Sequence, residues 1–384
     1  MVVSNTVAAL SELSPLAELL PKIQWKLLAS LDKCTEWGRV NILDTLSSYV
    51  PVDEAEAKTI CQIISPHLAH KNSSVVVAVV RIIMKLMPVF EDRDFVSSLE
   101  EKLPGAMVAF LSSEPEIQFV VLQEIQNIVR QRPNIFQSEL RSFFIKYNDP
   151  IYVKLGKLHV INHLIRAENV LLVLFVLKDY LLETDEEFVR VSIRVFGNCA
   201  AVVESYSLPG LWALKNLARI GVGYVSQEAI VAIQNILRAH PVRHGRIVAM
   251  VCENLPPLTY PEAKASAIWM VGEYAEVVDN AAEILDDFLE GFLVESPLVQ
   301  LQLLTSVIKV FLKKPHTSHN LVTQTLNMCT KEVENPDLRD RGFFYKRLLS
   351  VGSEIAKQVV LHSELPVHKE NQDTSLDFGY TRLS

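Results

Sequence analysis

One helical sequence pattern recurs along this chain at multiples of a single interval, and this repetition constrains the fold more than any other feature. In Val225–Pro241 the apolar residues follow the spacing of a helix with one buried face. The same positions are apolar 108 residues earlier, over Ile117–Pro133, and 74 residues later, over Val299–Pro315. These intervals are three and two times a unit of roughly 36–37 residues, the size of a helix-pair repeat. We therefore predict a stacked helical-repeat solenoid.

A second helical pattern repeats at nearly the same interval. The pattern I-x3-G-x2-A-x-V-V occurs at Ile193–Val203 and again 75 residues later at Ile268–Val278. Two different helices that recur with one period are typical of the alternating repeats of a superhelix. In the first pattern, Ile125, Ile233 and Val307 occupy equivalent positions. We expect all three side chains to be buried between neighbouring helices.

The composition agrees with a helical chain. Hydrophobic residues make up 49% of the 384 residues, and no apolar–polar alternation is long enough to indicate a sheet. We predict an all-α protein, a right-handed α-solenoid of HEAT- or armadillo-like antiparallel helix pairs. Asp53, and either Asn72 or Ser73, are predicted N-caps. The pair Pro104-Gly105 is expected to interrupt the helical run Asp92–Leu111.

Several global features exclude other classes of protein. The longest purely apolar run, Val170–Leu177, is far shorter than the ~20 residues that a membrane-spanning helix needs. The N-terminal stretch has no basic region, which predicts no signal peptide. Five widely scattered cysteines are typical of a reduced intracellular protein that uses cysteine as a small apolar side chain. A net charge of −8 argues against a dedicated nucleic-acid binder.

The common sequence motifs of enzymes are absent. There is no Walker phosphate loop, no G-x-G-x-x-G after a strand, and no C-x2-C, H-E-x-x-H or G-x-S-x-G motif. His159 and His163 have the i, i+4 spacing of a metal-chelating pair, but no acidic or cysteine partner lies close in sequence. We interpret them as ordinary packing or surface histidines. The sequence thus predicts no bound metal, no cofactor and no enzymatic activity.

Basic residues gather at one predicted interhelical turn. Arg238, Arg243 and Arg246 lie there together with His240 and His244. A basic cluster just before a helix N-terminus attracts anions. One interpretation is a contact with a phosphate or phosphoinositide, and the other is a solvated turn held by salt bridges.

Several stretches of the chain together resemble one family. They are Cys34–Leu46, Lys146–Leu155, Glu262–Phe292, Val299–Pro315 and Asn335–Ser350. Their letters include CTEWGRVNILDTL, KYNDPIYVKL and NPDLRDRGFFYKRLLS. These stretches resemble, in the same order, the trunk of the β-adaptins, which are large subunits of the clathrin adaptor complexes. The resemblance extends over Met1–Leu361.

This resemblance implies a function. The family trunk assembles with a second large adaptin, a medium subunit and a small subunit into a core that selects cargo on membranes. We expect a structural scaffold in vesicle-mediated protein transport, cytoplasmic and peripheral on Golgi, endosomal or plasma-membrane coated vesicles, which meets clathrin indirectly. Residues 1–362 are expected to form the trunk and residues 363–384 a disordered tail. The earliest repeats, the hinge and the appendage of the family are expected to be missing.

The resemblance also indicates where a partner subunit binds. Two family-like segments carry aromatic and arginine residues in or near predicted turns, and such residues anchor protein interfaces. The candidate interface residues for the medium subunit are Tyr147, Tyr152, Arg339, Arg341 and Phe343. The alternative is that the tyrosines pack locally and that the arginines pair with acidic residues of their own helix.

A second function class remains open. A helical-repeat scaffold or cargo carrier unrelated to coats, karyopherin-like or phosphatase-scaffold-like, has the same periodicity. Purification distinguishes the two classes, because only an adaptor subunit recovers other adaptin subunits.

Overall fold

The regular structure of this chain is helical throughout the part that can be described. A computed structural model describes residues 5–7, 9, 20–240 and 245–361, and no strand occurs among them. The predicted tail, residues 363–384, lies outside this part. The chain divides into two compact units, Met1–Ile165 and Arg166–Ser384. None of the helices in the described ranges has the length and apolar character that a transmembrane helix requires.

The first unit is built of helices that pack in sequence order. Its helices are α1 (Leu20–Ser30), α2 (Glu36–Ser47), α3 (Glu54–Ile64), α4 (Ser73–Leu86), α5 (Arg93–Glu100), α6 (Lys102–Val108), α7 (Pro115–Gln131) and α8 (Ile151–His163). Helices α2, α4, α7 and α8 pack successively against one another. The 3₁₀ segment Pro133–Phe143 packs against α6, α7 and α8.

The second unit contains two rows of helices. Its helices are α9 (Val170–Tyr180), α10 (Glu186–Val202), α11 (Glu204–Ala218), α12 (Gly223–Ala239), α13 (Gly245–Cys252), α14 (Pro261–Glu273), α15 (Ala281–Glu290), α16 (Pro297–Lys313), α17 (Pro315–Lys331), α18 (Pro336–Val351) and α19 (Ser353–Val360). Helices α10, α12, α14 and α16 lie side by side as a central row. Helices α9, α11, α13, α15 and α17 pack against it as a flanking row. This two-row stacking of helix pairs is that of an α-solenoid.

Helix ends follow local side-chain chemistry. The Asp53 carboxylate accepts from the backbone N–H of Glu56 at 2.8 Å. The Asn72 side-chain oxygen accepts from the N–H of Ser74 at 2.9 Å, so Asn72 and not Ser73 is the cap. The predicted break at Pro104-Gly105 is wrong. The chain breaks at Glu101, and Pro104 falls in the first turn of α6, where the N–H that proline lacks has no helical partner in any case.

The two copied sequence patterns meet at two close helix crossings. In the α10–α12 pair, a Cβ placed on Gly197 would lie 2.8 Å from the Cβ of Ala232. In the α14–α16 pair, a Cβ on Gly272 would lie 2.6 Å from the Cβ of Ser306 and 2.8 Å from its Cα. Real Cβ atoms essentially never come so close. The glycine of I-x3-G-x2-A-x-V-V therefore lets each helix approach the backbone of its neighbour.

The predicted burial of the repeated positions is confirmed. Ile125, Ile233 and Val307 all have no exposed surface. Each lies on a helix of the first pattern, in α7, α12 and α16 respectively. The register read from the periodicity is therefore the register of the folded chain.

We expect Ile233→Ala to lower the free energy of unfolding by ~2–4 kcal/mol, because it leaves a cavity between packed helices. Ile220→Ala is the matched control, since Ile220 is well exposed, and it should cost less than ~0.5 kcal/mol. Urea denaturation followed by circular dichroism measures both. A loss for Ile233→Ala as small as that of the control would contradict the assignment.

We expect Gly272→Ala to destabilise the second unit by ~1–3 kcal/mol, because the added methyl group overlaps the backbone of Ser306. Gly105→Ala is the control. A Cβ on Gly105 meets nothing within 4 Å, and alanine there should stabilise the chain by ~0.4–1 kcal/mol. Thermal unfolding of the two variants should shift in opposite directions, and a shift in the same direction would contradict the close crossing.

Candidate partner interface

The first candidate segment is a turn held by a buried ion pair. The Asp149 carboxylate accepts from the backbone N–H of Lys146 at 2.8 Å and from the Lys157 ammonium at 2.6 Å. The Lys157 side chain is 1% exposed and that of Asp149 is 8% exposed. Pro150 then precedes the first residue of α8. The sequence analysis missed this pair, and the eight-residue spacing of the two charges gave no signal for it.

The two candidate tyrosines differ in their surroundings. Tyr147 lies at the tip of this turn and is 90% exposed. Tyr152, in the first turn of α8, packs edge-to-face on Phe119 of α7 with ring centroids 5.5 Å apart. Tyr152 thus has the local packing contact of the alternative interpretation, whereas Tyr147 projects its ring into solvent.

The second candidate segment opens helix α18. The Asn335 side chain caps the helix by accepting from the N–H groups of Asp337 and Leu338. The Arg339 guanidinium donates to the carbonyl of Val333 at 2.9 Å, which fastens the start of the helix to the preceding chain. Arg339 therefore has a structural contact within its own segment.

The other candidates are exposed residues of α18. The guanidinium of Arg341 lies 3.4 Å from the Asp337 carboxylate, in an exposed i, i+4 pair of the kind that contributes little stability. Phe343 and Phe344 are 43% and 53% exposed. Gly342 faces the other way, onto α17. Large exposed aromatic groups beside an arginine are the composition of an interface hot spot.

The five candidates belong to separate units. Tyr147 and Tyr152 lie in the first unit, and Arg339, Arg341 and Phe343 in the second. The structure groups Arg339, Arg341 and Phe343 on the first turns of one helix. Their role in partner binding stays a prediction.

The predicted anion cluster is described only in part. The guanidinium carbon of Arg238 lies 5.1 Å from the centroid of the Trp269 ring, a stacked cation–π contact. Arg246 is exposed in the first turn of α13, and Arg243 and His244 lie outside the described residues. The ring of His240 instead contacts the carbonyl of Ala201 at 2.8 Å. The anion contact stays a prediction.

A polar network that the sequence analysis missed joins α10 to its neighbours. The Arg194 guanidinium donates to both carboxylate oxygens of Glu228 at 2.8 and 2.9 Å. Arg190 lies over the rings of Tyr224 and Tyr260, at 5.8 and 4.5 Å from their centroids. Glu228 is buried, so its charge needs these partners.

The α14–α16 pair is held by charged contacts towards both ends. Lys264, near the start of α14, pairs with Glu295, just before α16. Near the end of α14, the carboxylate of Glu273 pairs with Lys309, and its backbone carbonyl accepts from Lys313. Burial lowers the pKa of Lys313, and the nearby Glu273 carboxylate opposes that shift.

Reactive or metal-binding groups are scarce in the described ranges. Burial raises the pKa of Cys61, Cys199, Cys252 and Cys329 to about 12, so these thiols stay protonated at neutral pH. No group of three or more His, Cys, Asp or Glu that could hold a metal ion occurs in those same ranges.

These observations first define a class of protein: an α-solenoid of helix-pair repeats whose exposed aromatic and arginine side chains suit contacts with other proteins. The particular family follows from comparison. The model of the adaptin N-terminal region matches residues 1–353. The chain belongs to the adaptin family.

The chain is similar over most of its length to subunits of adaptor complexes. It is 48% identical to AP-1 complex subunit beta-1 of Mus musculus over 97% of this chain and 40% of that protein. It is 47% identical to AP-1 complex subunit beta of Dictyostelium discoideum over 96% of this chain and 39% of that protein. AP-2 complex subunit beta of Schizosaccharomyces pombe is 38% identical, with coverage of 96% and 55%. The chain therefore spans about half the length of these relatives or less.

Solved structures share the fold. A homology model of the full-length AP-3 complex in an intermediate open conformation aligns with a TM-score of 0.62 at 16% identity, covering 85% of this chain and 62% of the other. A crystal structure of a Kap121p mutant aligns with a TM-score of 0.53 at 10% identity, covering 90% and 39%. At such identities the likeness concerns the fold alone.

We expect Asp149→Asn to lower the free energy of unfolding by ~3–5 kcal/mol, because it leaves the buried Lys157 charge uncompensated. Adding Lys157→Met should recover most of this loss, since an apolar side chain needs no partner there. Asp337→Asn, which removes an exposed pair, should cost less than ~1 kcal/mol. Urea denaturation tests all three, and equal losses for the two aspartate variants would contradict the buried pair.

Proposed function

We propose that this chain is a structural scaffold subunit of a clathrin adaptor complex in vesicle-mediated intracellular protein transport. The observation that carries the proposal is the similarity to AP-1 complex beta subunits across 97% of the chain. A solenoid suits this role, because stacked repeats present an extended surface to several partners at once. The chain covers only 40% of the mouse relative. That it assembles and acts as a whole adaptor subunit does is therefore our proposal.

The proposed partners are a medium, a small and a second large adaptin subunit. In this proposal the chain contacts the clathrin coat only indirectly. It is a cytoplasmic protein that associates with Golgi, endosomal or plasma-membrane coated vesicles through the complex. The chain acts as a binding scaffold and not as an enzyme. Its similarity to adaptor subunits supports this assignment.

The start of α18 is the proposed contact with the medium subunit in the second unit. Arg341, Phe343 and Phe344 are exposed there, with Arg341 and Phe344 about one helical turn apart, and Asn335 and Arg339 fix the first turn of the helix. Arginine and aromatic side chains are among the residue types that most often anchor protein interfaces. Tyr147 is the corresponding candidate in the first unit, whereas Tyr152 packs on Phe119.

A cargo carrier or phosphatase-type scaffold unrelated to coats is the alternative function. Kap121p has the same fold, so the fold alone does not distinguish the adaptor scaffold from this alternative. Affinity purification does: an adaptor scaffold recovers medium, small and second large adaptin subunits. Recovery of importin cargo or of a phosphatase instead would replace the proposal.

We expect Arg341→Glu to reduce co-purification of the medium subunit about tenfold or more, as loss of a hot-spot residue does. The exposed Asp337 pair contributes little to folding, so the helical circular dichroism signal should stay unchanged. Arg93→Glu is the control, because Arg93 is also exposed but lies on α5, a helix that carries neither candidate segment.

Two outcomes of this experiment would count against the interface. If recovery of the medium subunit is unchanged and the fold is intact, Arg341 is not an interface residue, and its intrahelical pair with Asp337 is its only role here. An equal loss for Arg93→Glu would point to a general effect of charge and not to a contact at α18.

A further inference from the structure

The longest apolar run of the chain folds into a helix that buries only one side. In α9, Val170, Val173 and Leu177 are buried. Leu171 and Phe175 on the opposite side are 62% and 71% exposed. Because one side of α9 packs into the core, a leucine and a phenylalanine one helical turn apart lie on the surface.

Helix α11 repeats this arrangement one structural repeat later. Leu208 and Trp212 lie 37 residues after Leu171 and Phe175, and they are 47% and 43% exposed. Both helices pack against α10, so they are neighbours in the flanking row. The same pair of residue types, leucine and then an aromatic residue four positions on, therefore faces solvent from two adjacent helices.

The rest of the flanking row lacks this feature. The exposed positions of α15 are acidic, namely Glu283, Asp286, Asp287 and Glu290. Those of α17 are polar and include His319, Asn320, Thr323 and Gln324. The exposed positions of α15 and α17 are thus polar, whereas exposed apolar groups cluster on α9 and α11, and such a cluster marks a surface that binds something.

Basic residues outnumber acidic ones at one end of this surface, where the exposed Asp179 follows Lys178. Lys178 lies three residues after Phe175, and Lys215 lies three residues after Trp212. The Lys215 ammonium sits over the Trp212 ring, 4.5 Å from its centroid. Within the described ranges, no carboxylate pairs with Lys178, Lys215 or the following Arg219.

We propose that Leu171, Phe175, Leu208 and Trp212 form a docking surface, here named the α9–α11 face, for an amphipathic helix of a partner protein. The partner helix carries carboxylates at the end that meets Lys178 and Lys215. The i, i+4, i+7 spacing gives each of the two helices an apolar ridge that ends in a lysine, and the apolar stripe of an amphipathic helix has the same spacing. The face lies on other helices than the α18 contact, and the inference does not rest on adaptor assembly.

The test uses the full chain and a synthetic probe. The probe is a fluorescently labelled amphipathic peptide with leucines at the a and d positions of its heptads and glutamates in its last turn. A matched peptide carries lysines in place of the glutamates. We expect fluorescence anisotropy to show at least about tenfold tighter binding of the glutamate peptide.

Three variants assign that binding to the α9–α11 face. The double variant Phe175→Ser, Trp212→Ser should weaken binding of the glutamate peptide about tenfold or more. The double variant Lys178→Glu, Lys215→Glu should invert the preference between the two peptides. The control Val294→Ser, Leu298→Ser removes two other exposed apolar groups of the second unit and should leave binding unchanged.

Other results overturn the proposal. They are no detectable binding of the glutamate peptide, equal binding of both peptides, or full binding by Phe175→Ser, Trp212→Ser.

Two further assays address other occupants of the α9–α11 face. If sedimentation velocity shows a dimer that this variant abolishes, the face binds a second copy. If vesicles containing phosphatidylserine float with the chain but not with this variant, it binds a lipid surface. Because no adaptor subunit is present, failure here is distinguishable from failure of the proposed function.

Discussion

The close approach of helix backbones at two glycines is the constraint on which the second unit depends. Gly197 against Ala232 and Gly272 against Ser306 bring α10 to α12 and α14 to α16 nearer than any side chain at the glycine would permit. At that separation Ile230, Ile233 and Val307 of the first pattern are packed between helices with no exposed surface. The apolar core and the polar contacts around Arg194 and Glu273 both follow from this spacing.

Much of the fold could be predicted from the sequence, because a solenoid repeats its local rules. The interval between copies predicted which residues occupy equivalent positions. If Ile233 is buried, Ile125 and Val307 should be buried too, and all three are. Helix ends were less certain where two rules competed. Pro104 suggested a break, but proline is also tolerated in a first turn, and only the packing of α5 and α6 places the break at Glu101.

The candidate site was predictable in residue type but not in surroundings. The resemblance directed attention to Tyr147 and Arg341, and both prove to be exposed. It gave no sign that Tyr152 packs on Phe119, or that Lys157 is buried against Asp149. Those contacts depend on how a turn folds back on a neighbouring helix, which neither periodicity nor charge spacing encodes. The outward side of α9 was missed for a related reason: an apolar run does not reveal which of its faces is covered.

The charged contacts around α14 have a mechanical consequence. Lys264 and Glu295 join the start of α14 to the chain that enters α16, whereas Lys309 and Lys313 join the other end of α14 to the body of α16. Two attachments at opposite ends of one helix pair resist a change in crossing angle, which a single attachment in the middle does not. We therefore expect the crossing angle of the α14–α16 pair to change less than that of a pair joined at one end only.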